Sequence, residues 1–147
     1  MRYAMILAVL AGLAVAAQTS LTAASQRVMG PVMMVAISGF VTGFTALAVA
    51  LFLPRPEFTA RAVWYTLVSG ILGAFIVGSI AYAAGQGGVA RALSLVIASQ
   101  LIFGLLFDAF GLFGTGAELS WPKVLGVTLI LVGGVLVILD PRDFVRF

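Results

Sequence analysis

Neither cysteine nor histidine occurs anywhere in the 147 residues. Disulfides, thiolate nucleophiles, zinc sites and imidazole acid–base chemistry are excluded together. Charge is almost as scarce, with eight basic and five acidic side chains making up 9% of the chain. No paired carboxylates stand ready for general acid–base work, so the chain is expected not to be an enzyme and to need neither metal nor cofactor.

What is abundant is apolar. The residues are 63% hydrophobic and the mean hydropathy is +1.21, whereas soluble domains are roughly half apolar and about a quarter charged. A chain this short cannot hide that much apolar surface in its own core, so lipid must be its solvent on most sides. In lipid every backbone N–H and C=O has to be paired internally, which leaves helices or a closed barrel. The apolar stretches run unbroken for about twenty residues where barrel strands would alternate over about ten, and that favours helices. A formal charge of +3 and a pI near 10.0 come from cations scattered singly between the apolar runs. A nucleic-acid binder would cluster them on one face, so membrane flanking is the expected role.

Five segments are long enough to cross about 30 Å of hydrocarbon at about 1.5 Å per residue. They are 3–24, 32–53, 62–84, 90–110 and 122–139, a single transmembrane domain over 1–147. Gly30-Pro31 closes the first, Pro54-Arg55-Pro56-Glu57 the second and the glycines at 85, 87 and 88 the third. Gly111 ends the fourth; a loop through Gly114, Gly116 and Glu118 then leads to Trp121-Pro122-Lys123, an interfacial tryptophan and an N1-type proline that open the fifth. Arg2, the first apolar run and Ala14-Val15-Ala16 imitate a signal peptide, but the run is longer than a usual signal core and is expected to be a span.

Loop cations do not orient the chain. With the N-terminus outside, the inner side holds Arg27, Arg91, Arg142 and Arg146, and the outer side Arg2, Arg55, Arg61 and Lys123, four against four. With an odd number of spans, that tie suggests dual topology. Two oppositely inserted copies would then form an antiparallel homodimer, the inverted repeat that many transporters use for alternating access.

Residues 18–43, QTSLTAASQRVMGPVMMVAISGFVTG, together with Trp64, the run at 70–75 (GILGAF), QLIFGLLFDAFGLFG at 100–114, and Lys123, Gly126 and Gly133, carry a resemblance over nearly the whole chain. The pattern resembles the small YdcZ-type family of the drug/metabolite transporter superfamily. It departs from that family at Thr22, where asparagine is common, at Gly39, at Ser99 and in the glycine run 85–88. The resemblance implies an all-α integral membrane protein of the bacterial inner membrane. Such a chain would be half of a ten-helix inverted-repeat transporter, assembled as an antiparallel dimer and working as an exporter.

Polar side chains within an apolar span usually face a helix bundle or a wet cavity. Gln18 and Thr22, four apart on the first helix with Ser25 near the same stripe, Ser99 and Gln100 on the fourth, and Tyr82 and Ser79 on the third are the candidates for a substrate pathway. Asp108 is the one acidic residue within a span. It lies a turn from the helix end, unlike the central glutamate of the small multidrug resistance relatives, so proton coupling is not supported. Arg91 and Asp108 stand at opposite ends of one helix, and across a two-fold axis they form a candidate gate pair. Gly39 with Gly43, Gly70 with Gly78, and Gly126 with Gly133 are expected to let helices approach closely.

The expected function is secondary export of a small organic metabolite or drug across the inner membrane, by alternating access. The alternative is a passive dual-topology channel, although the sequence offers neither a carbonyl filter nor a charged ring. An accessory membrane subunit is a third class. The partners are the lipid bilayer, a second copy of the chain and a small molecule, with no nucleic acid.

Overall fold

The computed structural model describes residues 2–54, 56–111 and 120–139. They form five helices: α1 (Arg2–Met29), α2 (Pro31–Ala50), α3 (Ala60–Gly87), α4 (Val89–Phe110) and α5 (Trp121–Ile138). Each contains an 18-residue window of mean hydropathy 2.0, so all five are long and apolar enough to cross a membrane. Arg55, Gly114, Gly116, Glu118, Arg142 and Arg146 lie outside the described residues.

The largest differences from the expected helix limits lie at the ends of α1, α2 and α3. α1 runs five residues past Ala24, because the polar tail Ser25-Gln26-Arg27 is held by α3: Gln26 is packed against it, and Arg27 donates to it. The break comes only at Gly30, whose φ of 80° and ψ of 157° form a backbone region open almost solely to glycine. α2 stops at Ala50, three residues before Leu53. The Phe52 and Leu53 N–H groups there donate three residues back, a tightened last turn before Pro54. Gly85 and Gly87 stay helical, and Gly88 alone ends α3, with φ 86° and ψ 154°.

Gly30 and Gly88 therefore share one backbone conformation 58 positions apart, and each is preceded by a helix of 28 residues. The same offset relates buried Ala23 to buried Ala81, Gln26 to Ala84, and Met34 to Ala92. A helix, single glycine and helix recur as a unit, with α5 standing outside the pattern.

The chain divides into two compact units, 1–86 and 87–147. In the first, Thr19, Thr22, Ala23 and Gln26 form a buried row on α1 at the i, i+3, i+4, i+7 spacing of one helix face. That row meets α3 at Gly85, beside Gln26 and the Ala23 carbonyl, and Met34 of α2 and Ala81 and Ala84 of α3 are also buried, so the core lies where α1 and α3 end and α2 begins. Towards the other end, residues 2–15 of α1, 39–50 of α2 and 60–72 of α3 are exposed. In the second unit α4 packs along α5, with Ala92 buried and the Gly134 position close to the Ser94 carbonyl. Arg91 donates from Nη2 to the Ile138 carbonyl at 2.9 Å, placing a cation on the C-terminal carbonyls of α5 where the helix dipole favours it. Gly111 ends α4 in the left-handed conformation, its N–H donating to the Asp108 and Phe107 carbonyls.

Candidate functional site

Within the first unit, above the packed end, α1, α2 and α3 enclose a cleft of about 550 Å³. Gln18 enters from α1, Ser38 and Thr42 stand one turn apart on α2, and Thr66 faces them from α3. The wall between these groups is small: Gly39 and Gly43 on α2, Gly70 and Gly73 on α3. Gly73 lies at the middle of α3, so the cleft is centred at mid-span.

The hydroxyls have a common orientation. Ser38 donates to the Val35 carbonyl at 3.2 Å, Thr42 to the Ser38 carbonyl at 2.8 Å and Thr66 to the Ala62 carbonyl at 2.9 Å. A hydroxyl has one proton and two lone pairs, so each of these oxygens has committed its proton to its own helix and retains acceptor capacity. The Gln18 amide has no hydrogen-bond partner among the described residues. Among the described residues, none of the side chains lining the cleft is charged.

A second cleft of about 390 Å³ adjoins the first and shares Val35 and Ala74 with it. Tyr82, Ser79 and Phe75 line it from α3, and Pro31 and Val32 from α2. Between the two, α2 and α3 come close: a β-carbon at Gly78 would lie 3.3 Å from Val35 Cγ2.

Of the residues singled out in the sequence, Gln18 lines the larger cleft and Tyr82 the smaller. Thr22 is buried in the α1 row, donating to the Gln18 and Thr19 carbonyls at 2.9 and 3.2 Å. Ser99 donates to the Val96 carbonyl on α4, and Gln100, on the same helix, is exposed, its amide without a partner among the described residues. Asp108 is half-buried, and Arg91 is engaged with α5 of its own chain. Among the glycines expected to admit close neighbours, a β-carbon at Gly39, Gly43, Gly70, Gly126 or Gly133 would meet nothing within 4 Å. Gly78 makes the close approach in the first unit, and Gly134, not singled out beforehand, has the close neighbour in the second.

Ser38, Thr42, Thr66 and Gln26 were also not singled out. The signal for the α2 pair lay in the sequence: Ser38 and Thr42 share the four-residue spacing of Gly39 and Gly43, which sets a polar stripe beside a small one. Gln26 completes the row begun by Thr19 and Thr22.

Comparison with known proteins agrees with this architecture. Residues 3–136 match the family described as "Putative inner membrane exporter, YdcZ". "Inner membrane protein YdcZ" of Escherichia coli (strain K12) is 33% identical over 81 residues, 55% of this chain and 54% of that protein, so the match spans about half the length of the curated relative. No solved structure matches the chain. With five apolar helices and a family match running from the start of α1 to near the end of α5, this chain belongs to the YdcZ family and is a multi-pass protein of the inner membrane.

Proposed function

We propose that the chain is half of a secondary transporter, two copies inserted antiparallel, exporting a small organic molecule by alternating access. The observation that carries this reading is the mid-span cleft, which brings Gln18, Ser38, Thr42 and Thr66 together from three helices, with the buried α1 row beyond it towards the Met29 and Pro31 end and exposed residues towards the other. Alternating access needs a site near mid-span, and an antiparallel second copy would supply the same cleft in the opposite orientation. The equal split of loop cations supports insertion in both directions. In the assembled pair, Gln18 and Gln100 line the pathway, Tyr82 lies along it, and Arg91 with Asp108 of the second copy forms a gate at each mouth.

Two measurements test this. Single cysteines placed at the C-terminus of the otherwise cysteine-free chain should label from both sides of the membrane; labelling from one side alone removes the antiparallel pair. In proteoliposomes, solute flux should saturate and be slow. Rapid flux that does not saturate would favour the channel instead.

A further inference from the structure

We propose that the cleft between α1, α2 and α3 takes an uncharged organic solute that donates hydrogen bonds. This substrate class rests on the transporter reading above and specifies its site.

The hydroxyls decide the polarity of recognition. Ser38, Thr42 and Thr66 each commit their single proton to a carbonyl of their own helix, so what they offer the cleft is lone pairs. Gln18 adds an amide carbonyl and an NH2 group without partners among the described residues. An acceptor-rich site discriminates between a solute that brings O–H or N–H groups and an isostere that lacks them, because acceptors that lose water to a bound solute and stay unmatched are costly.

The absence of charge in the lining sets the second requirement. At mid-span an ion without a counter-charge carries a large desolvation penalty, and the described residues that line the cleft include neither a carboxylate nor a cation to offset it. Glu57 lines a separate depression of about 320 Å³ that shares only Thr66 with the cleft. Size sets the third. The glycines at 39, 43 and 70 have nothing within 4 Å of a notional β-carbon, so their missing side chains leave room instead of closing a helix contact within this unit. About 550 Å³ suits a one- or two-ring organic molecule.

The test uses the full chain in lipid nanodiscs and four probes: resorcinol, its dimethyl ether, benzoate and benzyltrimethylammonium. Saturable binding by calorimetry should be at least about tenfold tighter for resorcinol than for the other three. Thr42→Val combined with Thr66→Val should weaken resorcinol by about tenfold, whereas Thr45→Val, outside the cleft, and Glu57→Gln should leave it unchanged. Unaltered thermal unfolding of the valine variant excludes misfolding as the cause. Equal or tighter binding of the quaternary cation or of benzoate, no saturable resorcinol binding, or indifference to the valine pair overturns the inference. So does a disulfide joining single cysteines at Gly39 of two copies, which would show the cleft filled by a second helix. Proteoliposome flux separates this inference from the transporter reading. Resorcinol that binds as described but never crosses leaves the site standing and removes transport, and saturable flux of an ion with no resorcinol binding does the reverse.

Discussion

Arg27 and Gly85 are joined by a 2.8 Å hydrogen bond, the guanidinium Nη2 of the last turn of α1 donating to a carbonyl in the last turn of α3. The same glycine gives room to the Gln26 side chain, which is only 9% exposed and would collide with a β-carbon at position 85. Gly85→Ala would gain about 1 kcal/mol of helix propensity, but overpacking against a buried side chain typically costs about 1–3 kcal/mol. A net loss of up to about 2 kcal/mol is expected, read as a lowered melting temperature in detergent, with Gln26→Ala restoring much of it. A Gly85→Ala chain more stable than the parent would refute the packing described.

Gly78 and Val35 set a similar test two turns deeper. Valine is stiff at χ1 in a helix, so at 3.3 Å it cannot easily swing away from an added methyl, and α2 and α3 must separate. Gly78→Ala should lower stability by about 1–2 kcal/mol, and the Val35→Ala, Gly78→Ala double variant should be more stable than the sum of its singles. Simple additivity would mean that the two side chains do not meet.

Gly30→Ala and Gly88→Ala should each cost about 1–3 kcal/mol, because both glycines hold torsions that a β-carbon opposes. Their common conformation predicts costs alike within about 1 kcal/mol. Thermal unfolding of the two variants side by side checks this, and tolerance at either site would contradict the assigned backbone.

Arg91→Ala removes the donor from the Ile138 carbonyl. A charge-assisted bond at a helix C-terminus is worth about 1–3 kcal/mol, so amide exchange in the last turn of α5 should quicken while that of α1 does not. Equal exchange in parent and variant would show that the contact does not hold the helix end. The charge-swapped Arg91→Asp, Asp108→Arg chain meets a further demand, since aspartate at 91 cannot donate to α5. Activity lost in each single variant should return only in part in the double, and no return at all would remove the gate pair.

The spans were legible because hydropathy and Gly/Pro breaks are local properties. Their faces were not. A helix that is apolar all round has no polar side to point outward, so the stripe chosen from Gln18, Thr22 and Ser25 lay one residue away from the buried row through Thr19, Thr22, Ala23 and Gln26. Gln18 could be picked out because an amide is conspicuous in an apolar run, and it does line the cleft. The hydroxyls at 38 and 42 gave only the weaker signal of their shared spacing, and Thr66 gave none, since serine and threonine satisfy themselves on their own helix and their presence costs little anywhere in a span. The end of α1 is illegible for a related reason: Gln26 and Arg27 read as a loop until their partner, Gly85, is seen 58 positions beyond Arg27.

The single-residue connections also bear on how the protein is made. With only Gly30 between Met29 and Pro31, and only Gly88 between Gly87 and Val89, no slack exists for one helix of a pair to settle in the bilayer while the next waits in water. Biogenesis should therefore proceed two spans at a time, α1 with α2 and then α3 with α4, and a ribosome-stalled chain ending inside α2 should be poorly retained in the membrane. α5, reached through a longer connection and lying outside the repeated unit, is the one helix left to partition on its own.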